Sequence, residues 1–547
     1  MRHSLLAALL CTSTLFAAAE TKPKDMCAPP PGGTAPALPA RIMTGQGHID
    51  FPITTSSPKA QEFFNQGVAQ MHSFWAVEAE RSFLQAAALD PQAPMPYWGI
   101  AMVAAGDYRP RFQLTRDMAP SNVKKMDANP RTPVGGPARA IAAMKKAVEL
   151  SAVPGKATDL EKLYIASIAA RRNADSKDPD GDYINGLRAV VAAYPKEVEA
   201  KTYLALHLMQ GFTTPDKQPL PGSMEAAKIL RDLLAVAPDH MGVHHYIIHG
   251  FEGSSFAKDA WASCRRYPEL VTNIPHALHM PGHIWAQTGK WDEAAQSFEA
   301  AAENERGYLK ADKLYSPGHH GHNVRFLTTT YCFQGKYDKA MEAARELLSF
   351  PENPREVASV DNWYTAHRQG WFALMETLVH FEKWDEILDG RTLVTYDKPR
   401  EQAWRHWAIG LALAAKGDVR AAKGEVKAMD SALKELKLKT HDTPKQLVIA
   451  RQELDGHIDF ASKKFDKSFR TLQAAIRAER GLRYTEPPSY PRPVAGALGP
   501  MALQQGKLQI AEDAFRQELE QYPSSRRAIT GLAETLRREG KPEAAGF

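Results

Sequence analysis

Two short runs hold most of the side chains in this chain that could do chemistry. "VHHYIIHGFE" occupies residues 243–252 and "HALHMPGHIW" residues 276–285, and together they carry six histidines and a glutamate. "GHHGHN" follows at 318–323, so that nine of the chain's 19 histidines lie between His244 and His322. Residues three or four apart share one stripe of a helix. His245 and His249 are so spaced, as are His276, His279 and His283. A divalent transition metal takes neutral imidazole nitrogens at about 2.0–2.1 Å and also accepts a carboxylate. The candidate metal ligands are therefore His245, His249, His276, His279, His283 and His322, with His245, His249, His279 and His283 as the inner set. Glu252 is the candidate catalytic residue: it could ligate, orient a ligand from behind, or act as a general base on metal-bound water. Zinc is the default ion, and copper or iron suits imidazole almost as well. The glutamate is displaced from its place in the His-Glu-x-x-His pattern of zinc peptidases, so that mechanism does not transfer. Two metal-free readings stand beside this one. The histidines could simply hydrogen-bond and pack in a polar groove. Or, with Arg265, Arg266 and Arg325, they could read an anionic ligand and switch near neutral pH.

These side chains need a scaffold, and from Lys59 onward the chain reads as helix nearly everywhere. A helix–turn–helix unit with a 34-residue period is the tetratricopeptide (TPR) signature. It has small residues at positions 8, 20 and 27, an aromatic at 24 and Pro at 32. The small residues let the two helices cross closely, the aromatic fills the gap between units, and Pro stops the second helix. Starting at residue 60, Gly67, Ala79, Phe83, Ala86 and Pro91 meet all five positions. Starting at residue 275, Gly282, Ala294, Phe298 and Ala301 match and only position 32 fails; Gly499, Ala511, Phe515 and Pro523 match near the C-terminus. Weaker units carry "MEAAKILRDLLAVAPD" and "KKFDKSFRTLQAA", and frames at 207, 241 and 275 follow one another at the full period. Two stretches break it. One is an insertion near 103–140 ("RPRFQLTRDMAPSNVKKMDANPRTPVGGP"), followed by two helical segments up to 200. The other is a loop over 306–321. The expected fold is an all-α, TPR-like α-solenoid, a right-handed superhelix of roughly ten to twelve hairpins.

The register places the histidines. In such a stack the first helix of each unit lines the concave groove with positions 2, 5, 9, 12 and 13. His245, His249 and Glu252 take positions 5, 9 and 12 of one unit; His276, His279 and His283 take positions 2, 5 and 9 of the next. Parallel neighbouring helices lie about 8–10 Å apart, within reach of a shared ion. His322 takes position 2 of a unit starting near 321. His72 and His406 also fall on groove positions, and both read more simply as packing, like the aromatics of "DNWYTAHRQGW" and "AWRHWAIG".

The 547 residues, 44% hydrophobic and 24% charged, are ordinary for a globular protein and long enough for one elongated array. A net charge of +5 with no long basic run gives no reason to expect a nucleic-acid partner. The first 19 residues read as a secretory signal peptide: Arg2 and His3, an apolar core Leu5 to Phe16, then Ala17 to Ala19 and a cut near Ala19. Periplasmic or secreted localisation follows. No later stretch is apolar enough to span a bilayer. Residues 20–57 are Pro/Gly-rich and read as a linker or extended arm; repeats are expected over 58–305 and 306–547. Of four cysteines, Cys11 leaves with the signal; Cys264 and Cys332 read as buried thiols rather than a framework bridge. No phosphate loop, nucleophile elbow, CxxC or haem-attachment pattern is present.

The stretches "FFNQGVAQMHSFWAVEAERSFLQAAALDPQAPMPYWGIAM", "HHYIIHGFE", "HALHMPGHIWAQTGKWDEA" and "GHHGHNVRFL" resemble a family of bacterial TPR-containing proteins, many of them exported and largely without assigned activity. The resemblance spans about 60–540. The family pattern is met at His245, Tyr246, His249, Glu252, His276, His279, Met280, Pro281, His283, His322 and Asn323. His244 stands where relatives often carry Asn, and Arg325 where they often carry a further His, which weakens the ligand set on the third helix. Fold and class follow from the resemblance; activity does not. The reading carried forward is a binding array with a metal at its histidines and a protein or peptide partner in the groove. The alternatives are a metal-dependent hydrolase or oxidoreductase and a metal-free scaffold.

Overall fold

The computed structural model describes residues 40–104, 106–109, 136–311, 317–351 and 365–541. The stretch 1–19 read as a signal peptide, Cys27 and most of the insertion expected near 103–140 lie outside them. The described residues form 23 α-helices, eleven pairs and one more, and one isolated β-bridge, Phe212 with Pro219. Each helix packs chiefly on its neighbours in sequence, the contact pattern of a solenoid. No helix among the described residues is long and apolar enough to cross a membrane.

The repeat chemistry is visible in the packing. Helices Pro58–His72 and Ala76–Leu89 form the first pair, Pro275–Gln287 and Trp291–Ala311 a central one, and Ala495–Gln504 and Leu508–Gln521 the last. In each, the position-8 glycine lies under the position-24 aromatic ring. A Cβ at Gly67, Gly282 or Gly499 would come within 3.0 Å of Phe83, Phe298 or Phe515. Where Pro occupies position 32 the second helix stops short of it, before Pro91 and Pro523. Where that position is Arg306, nothing stops the helix, and it runs on to Ala311.

Several expectations need correction. The loop expected over 306–321 is shorter at both ends: residues 306–311 extend one helix, Gly318 opens the next, and 312–316 lie outside the described residues. The first helix of the unit at 207 is displaced. It runs Val198–Leu208, and 209–222, with Gly211, Pro215, Pro219, Pro221 and Gly222, is irregular, because two of these glycines have positive φ and Pro cannot extend a helix. Three complete helices, not two segments, fill 136–193. The described part of the arm is extended but packed: Ile49 and Phe51 are buried, and Phe51 meets Phe64, Trp98 and Tyr164. Cys264 and Cys332 are buried free thiols.

Buried apolar side chains fall in two clusters, Ile49 to Ala366 and Met341 to Leu536, and Tyr522 belongs to the first. The far end of the array thus returns to its middle. Trp291 Nε1 donates to the Pro523 carbonyl at 2.8 Å, Thr214 Oγ1 to that of Leu482 at 2.8 Å, and Phe333 stacks on Tyr522 at 4.7 Å between centroids.

Burial in the second cluster pushes the Glu479 carboxyl up to about 8, with Glu453 and Glu518 adding to it, against the donated Val494 N–H. Its folded pKa lies above the unfolded value near 4.5, so the proton favours the folded state. That stabilisation is complete below the unfolded value and is lost as pH rises through about 8. Glu479→Gln keeps the shape and removes the charge. Thermal melts should show the variant more stable at about pH 9, on the order of 1–3 kcal/mol, with no gain near pH 5. Equal melting curves at alkaline pH would refute it.

Candidate metal centre

Helix Met241–Phe251 carries the first histidine run and packs on Pro58–His72, Val198–Leu208 and Pro275–Gln287. His240 caps it, accepting the Val243 N–H on Nδ1 at 3.2 Å while Nε2 donates to Glu199 at 2.9 Å. Glu199 also accepts from His72 Nε2 at 2.7 Å, and His72 Nδ1 meets the Tyr246 hydroxyl at 2.9 Å, so His72 is a buried brace, in keeping with packing. The helix ends at Phe251. Glu252 is extended (φ −60°, ψ 142°) and Gly253 turns the chain at φ +75°. Glu252 therefore lies just past the helix rather than on its stripe. Pro275 opens the second ligand helix, and Gly318–Phe333 supplies the third.

The histidines converge, in two groups rather than one. Ligand atoms of His245, His249 and His276 lie within 4.8 Å of one another, as do those of His279, His283 and His322. The expected inner set is thus divided between two triads, and His276 and His322 stand inside them rather than behind. Nor is the site an open groove. His245 and His279 are 0% exposed and His249, His283 and Glu252 at most 4%, with His276 and His322 half-buried. Phe74 covers the first triad, its centroid 4.5 Å from His245, 5.2 Å from His249 and 5.4 Å from His276. It does so from a left-handed backbone, φ 52°, at the turn that ends its helix, where Gly289, Gly335, Glu382, Gly417, Lys463 and Gly506 also have positive φ. Phe298 and Phe326 flank the second triad.

The hydrogen bonds behind the rings set which nitrogen faces inward. His245 Nδ1–H donates to the His72 carbonyl. His249 Nδ1–H donates to Glu252 Oε1 at 3.3 Å. His319 Nδ1–H donates to Glu305 at 2.5 Å, which leaves His319 Nε2 to accept from His276 Nδ1–H at 3.3 Å. All three rings of the first triad are thereby left with a lone pair on Nε2. The Nε2 atoms of His245 and His276 are buried with no hydrogen-bond partner, which costs on the order of 1–3 kcal/mol each. In the second triad His279 Nδ1–H donates to Asn323 Oδ1 at 2.7 Å, and Asn323 is itself fixed by donating to the Phe298 carbonyl at 3.0 Å. His283 Nδ1 faces Glu252 Oε2 at 3.0 Å and Glu486 Oε2. The Nε2 atoms of His279 and His283 then meet at 2.7 Å. At that distance one nitrogen donates to the other, and the donor is His283, whose Nδ1 is held by two carboxylates.

Electrostatics agree. Burial first, then the neighbouring imidazoles, holds His245, His276 and His279 well below the ordinary histidine range, so they are neutral donors at pH 7. His283 differs: burial opposes its charge, but Glu486 and Glu252 outweigh burial and push it up to about 9. Glu252 holds Nδ1 of one histidine in each triad, so it lies behind the rings rather than among the converging nitrogens. His244 turns away to Ser263 and the Pro238 carbonyl. Arg325 stands over the Phe372 ring at 4.3 Å and lowers the pKa of Glu376, which burial raises to about 7. His406 pairs with Glu425.

Sequence reading missed Phe74, the His72 carbonyl, His319 as a second layer, and Glu486. Asn323 and the "HSFW" stretch carried a family signal. Glu486 carried none, lying in a Pro-rich stretch with no period.

No family model matches the chain, and no curated protein is a significant match. Solved structures include the human IFIT1 dimer with m7Gppp-AAAA, at 11% identity and TM-score 0.32, covering 89% of this chain and 92% of that one. The APC/C hetero-tetramer Cut9-Hcn1 matches at 12% identity and TM-score 0.29, covering 90% and 79%. At these scores the likeness carries no weight for site or ligand. By its own helices and packing the chain is an all-α, TPR-like α-solenoid with a buried histidine centre.

Proposed function

We propose that this chain is an exported metal-binding array that holds divalent transition metal in two three-histidine sites. The observation that supports it is the set of tautomers: in the first triad all three Nδ1 atoms are engaged from behind and leave a lone pair on Nε2, and in the second the Nδ1 atoms of His279 and His283 are so engaged. Outer partners of this kind fix ring orientation and raise ligand basicity in metal sites. Three nitrogens per site suit zinc first, then copper or iron. Export rests on the N-terminal segment alone. A stacked array offers one long face to a protein or peptide partner, which is the other half of the proposal.

A second reading has one specific support. Each triad offers three imidazoles, and an ion held by three protein ligands would keep a position for water or substrate, as catalytic zinc does. Metal-assisted hydrolysis is then the reaction class, with Glu252 acting through His249 and His283 rather than on the water.

Titration of chelator-treated protein with cobalt(II) tests the reading. Two equivalents should bind, with visible d–d bands that zinc abolishes. Less than one equivalent, or bands typical of the free aqueous ion, would leave a metal-free scaffold. Hydrolysis of model esters that appears only with zinc would move the balance to the enzyme.

A further inference from the structure

We propose that Glu486 is a positioning residue of the second triad, delivered by the far end of the array, so that metal loading and docking of the C-terminal hairpins are linked. The inference rests on the metal-binding reading above. The two nitrogens of His283 face different ways: Nε2 meets His279 Nε2 at 2.7 Å inside the triad, while Nδ1 faces Glu252 and Glu486. A carboxylate on Nδ1–H fixes the tautomer that turns the Nε2 lone pair toward a metal, and makes that nitrogen more basic. Glu252 does this from the same half of the chain. Glu486 reaches the same atom from a segment whose Tyr490 and Val494 belong to the second core cluster, and its side chain is 4% exposed.

The segment that carries Glu486 is a strap across the seam. On one side Leu482 accepts from Thr214, and Gly253 lies against the Tyr484 ring, 3.5 Å from a Cβ built on the glycine. On the other, the Tyr490 hydroxyl donates to Glu453 at 2.6 Å, and the Val494 N–H to Glu479 at 2.8 Å. The strap is thus tied to the helices 445–461 and 465–480 and inserts its carboxylate between the first-half helices. Burying a carboxylate is costly unless it is paired, and here its partner is a ligand histidine. Linkage makes the effect reciprocal: whatever factor the docked strap adds to metal affinity, metal adds to strap docking.

Zinc titration of the full mature chain against a competing chromophoric chelator, with hydrogen exchange over 482–494, tests this. In the wild type, zinc should slow exchange across the strap. Glu486→Gln keeps the shape and removes the charge; it should weaken one of two zinc equivalents about 10–100-fold, leave the other unchanged and abolish the zinc-dependent protection. Glu486→Asp should recover part of it. Trp291→Phe, which removes the seam bond to Pro523 without touching the triad, should weaken the same equivalent and gives the answer if Glu486→Gln does not fold. Wild-type affinity at both equivalents in Glu486→Gln, or strap exchange indifferent to zinc, overturns the role of Glu486 alone. No zinc binding by the wild type overturns it together with the metal reading.

Discussion

His245→Ala combined with His279→Ala is expected to abolish tight binding of both metal equivalents while the array stays folded. Each substitution removes one imidazole from one triad, leaving two, which do not hold an ion against water as three do. Outer partners alone are worth about 10–100-fold in affinity, so loss of a ligand should exceed about 100-fold at each site. His283→Ala is the poorer choice, because it removes the histidine facing Glu486 and one of the two held by Glu252, and so confounds binding with stability. His279→Ala leaves both carboxylates their histidine and removes only the partners of the Asn323 oxygen and of His283 Nε2. The single variants should each lose one equivalent of cobalt(II), measured by absorbance. Retention of both equivalents in the double variant would show that the triads are not the ligands; far-UV circular dichroism of the chelated proteins establishes that the fold is unchanged.

Phe298→Ala should be the most damaging single core change near the site. The ring is 0% exposed, lies over Gly282, packs on Phe326 at 4.4 Å between centroids and borders His279 at 5.0 Å. Truncating a buried Phe costs about 3–5 kcal/mol, and glycine beneath it cannot fill the gap. In a solenoid each unit is held by its neighbours, so the damage should be local. Hydrogen exchange should accelerate across 275–333 and stay near wild type over 445–480. Metal affinity at the second triad should fall with it, and Phe298→Leu should recover most of both. Uniform loss across the chain would mean that the two core clusters unfold as one.

The repeat was legible because its cause is local. Close helix crossing demands a small residue where a ring must sit, and Gly67/Phe83, Gly282/Phe298 and Gly499/Phe515 display that demand directly in the residue types. The same holds for helix ends: Pro91 and Pro523 announced theirs, and the absence of Pro at Arg306 accounts for the helix that runs on. The failure at 207 was of another kind. The period of the second helix survived, while a Pro/Gly-rich loop took the place of the first, and a count of residues does not register a displaced helix.

For the site, periodicity was enough to put His245, His249, His276, His279 and His283 on facing stripes of adjacent helices. Their division into two triads, their burial and the role of Glu252 were beyond its reach. Those depend on which acceptor lies behind each ring: a backbone carbonyl at His72, an amide at Asn323, carboxylates at Glu252, Glu305 and Glu486. A backbone carbonyl has no residue type to read, and Glu486 is brought to His283 only because the array turns back on itself. Residue type and spacing alone determined that this chain is a helical array with imidazoles gathered at one place, since both follow from interactions within a turn or two of helix. The tertiary structure decided which nitrogens face one another, because that is set by contacts between different elements, some as distant in sequence as His72 from His245 and His283 from Glu486.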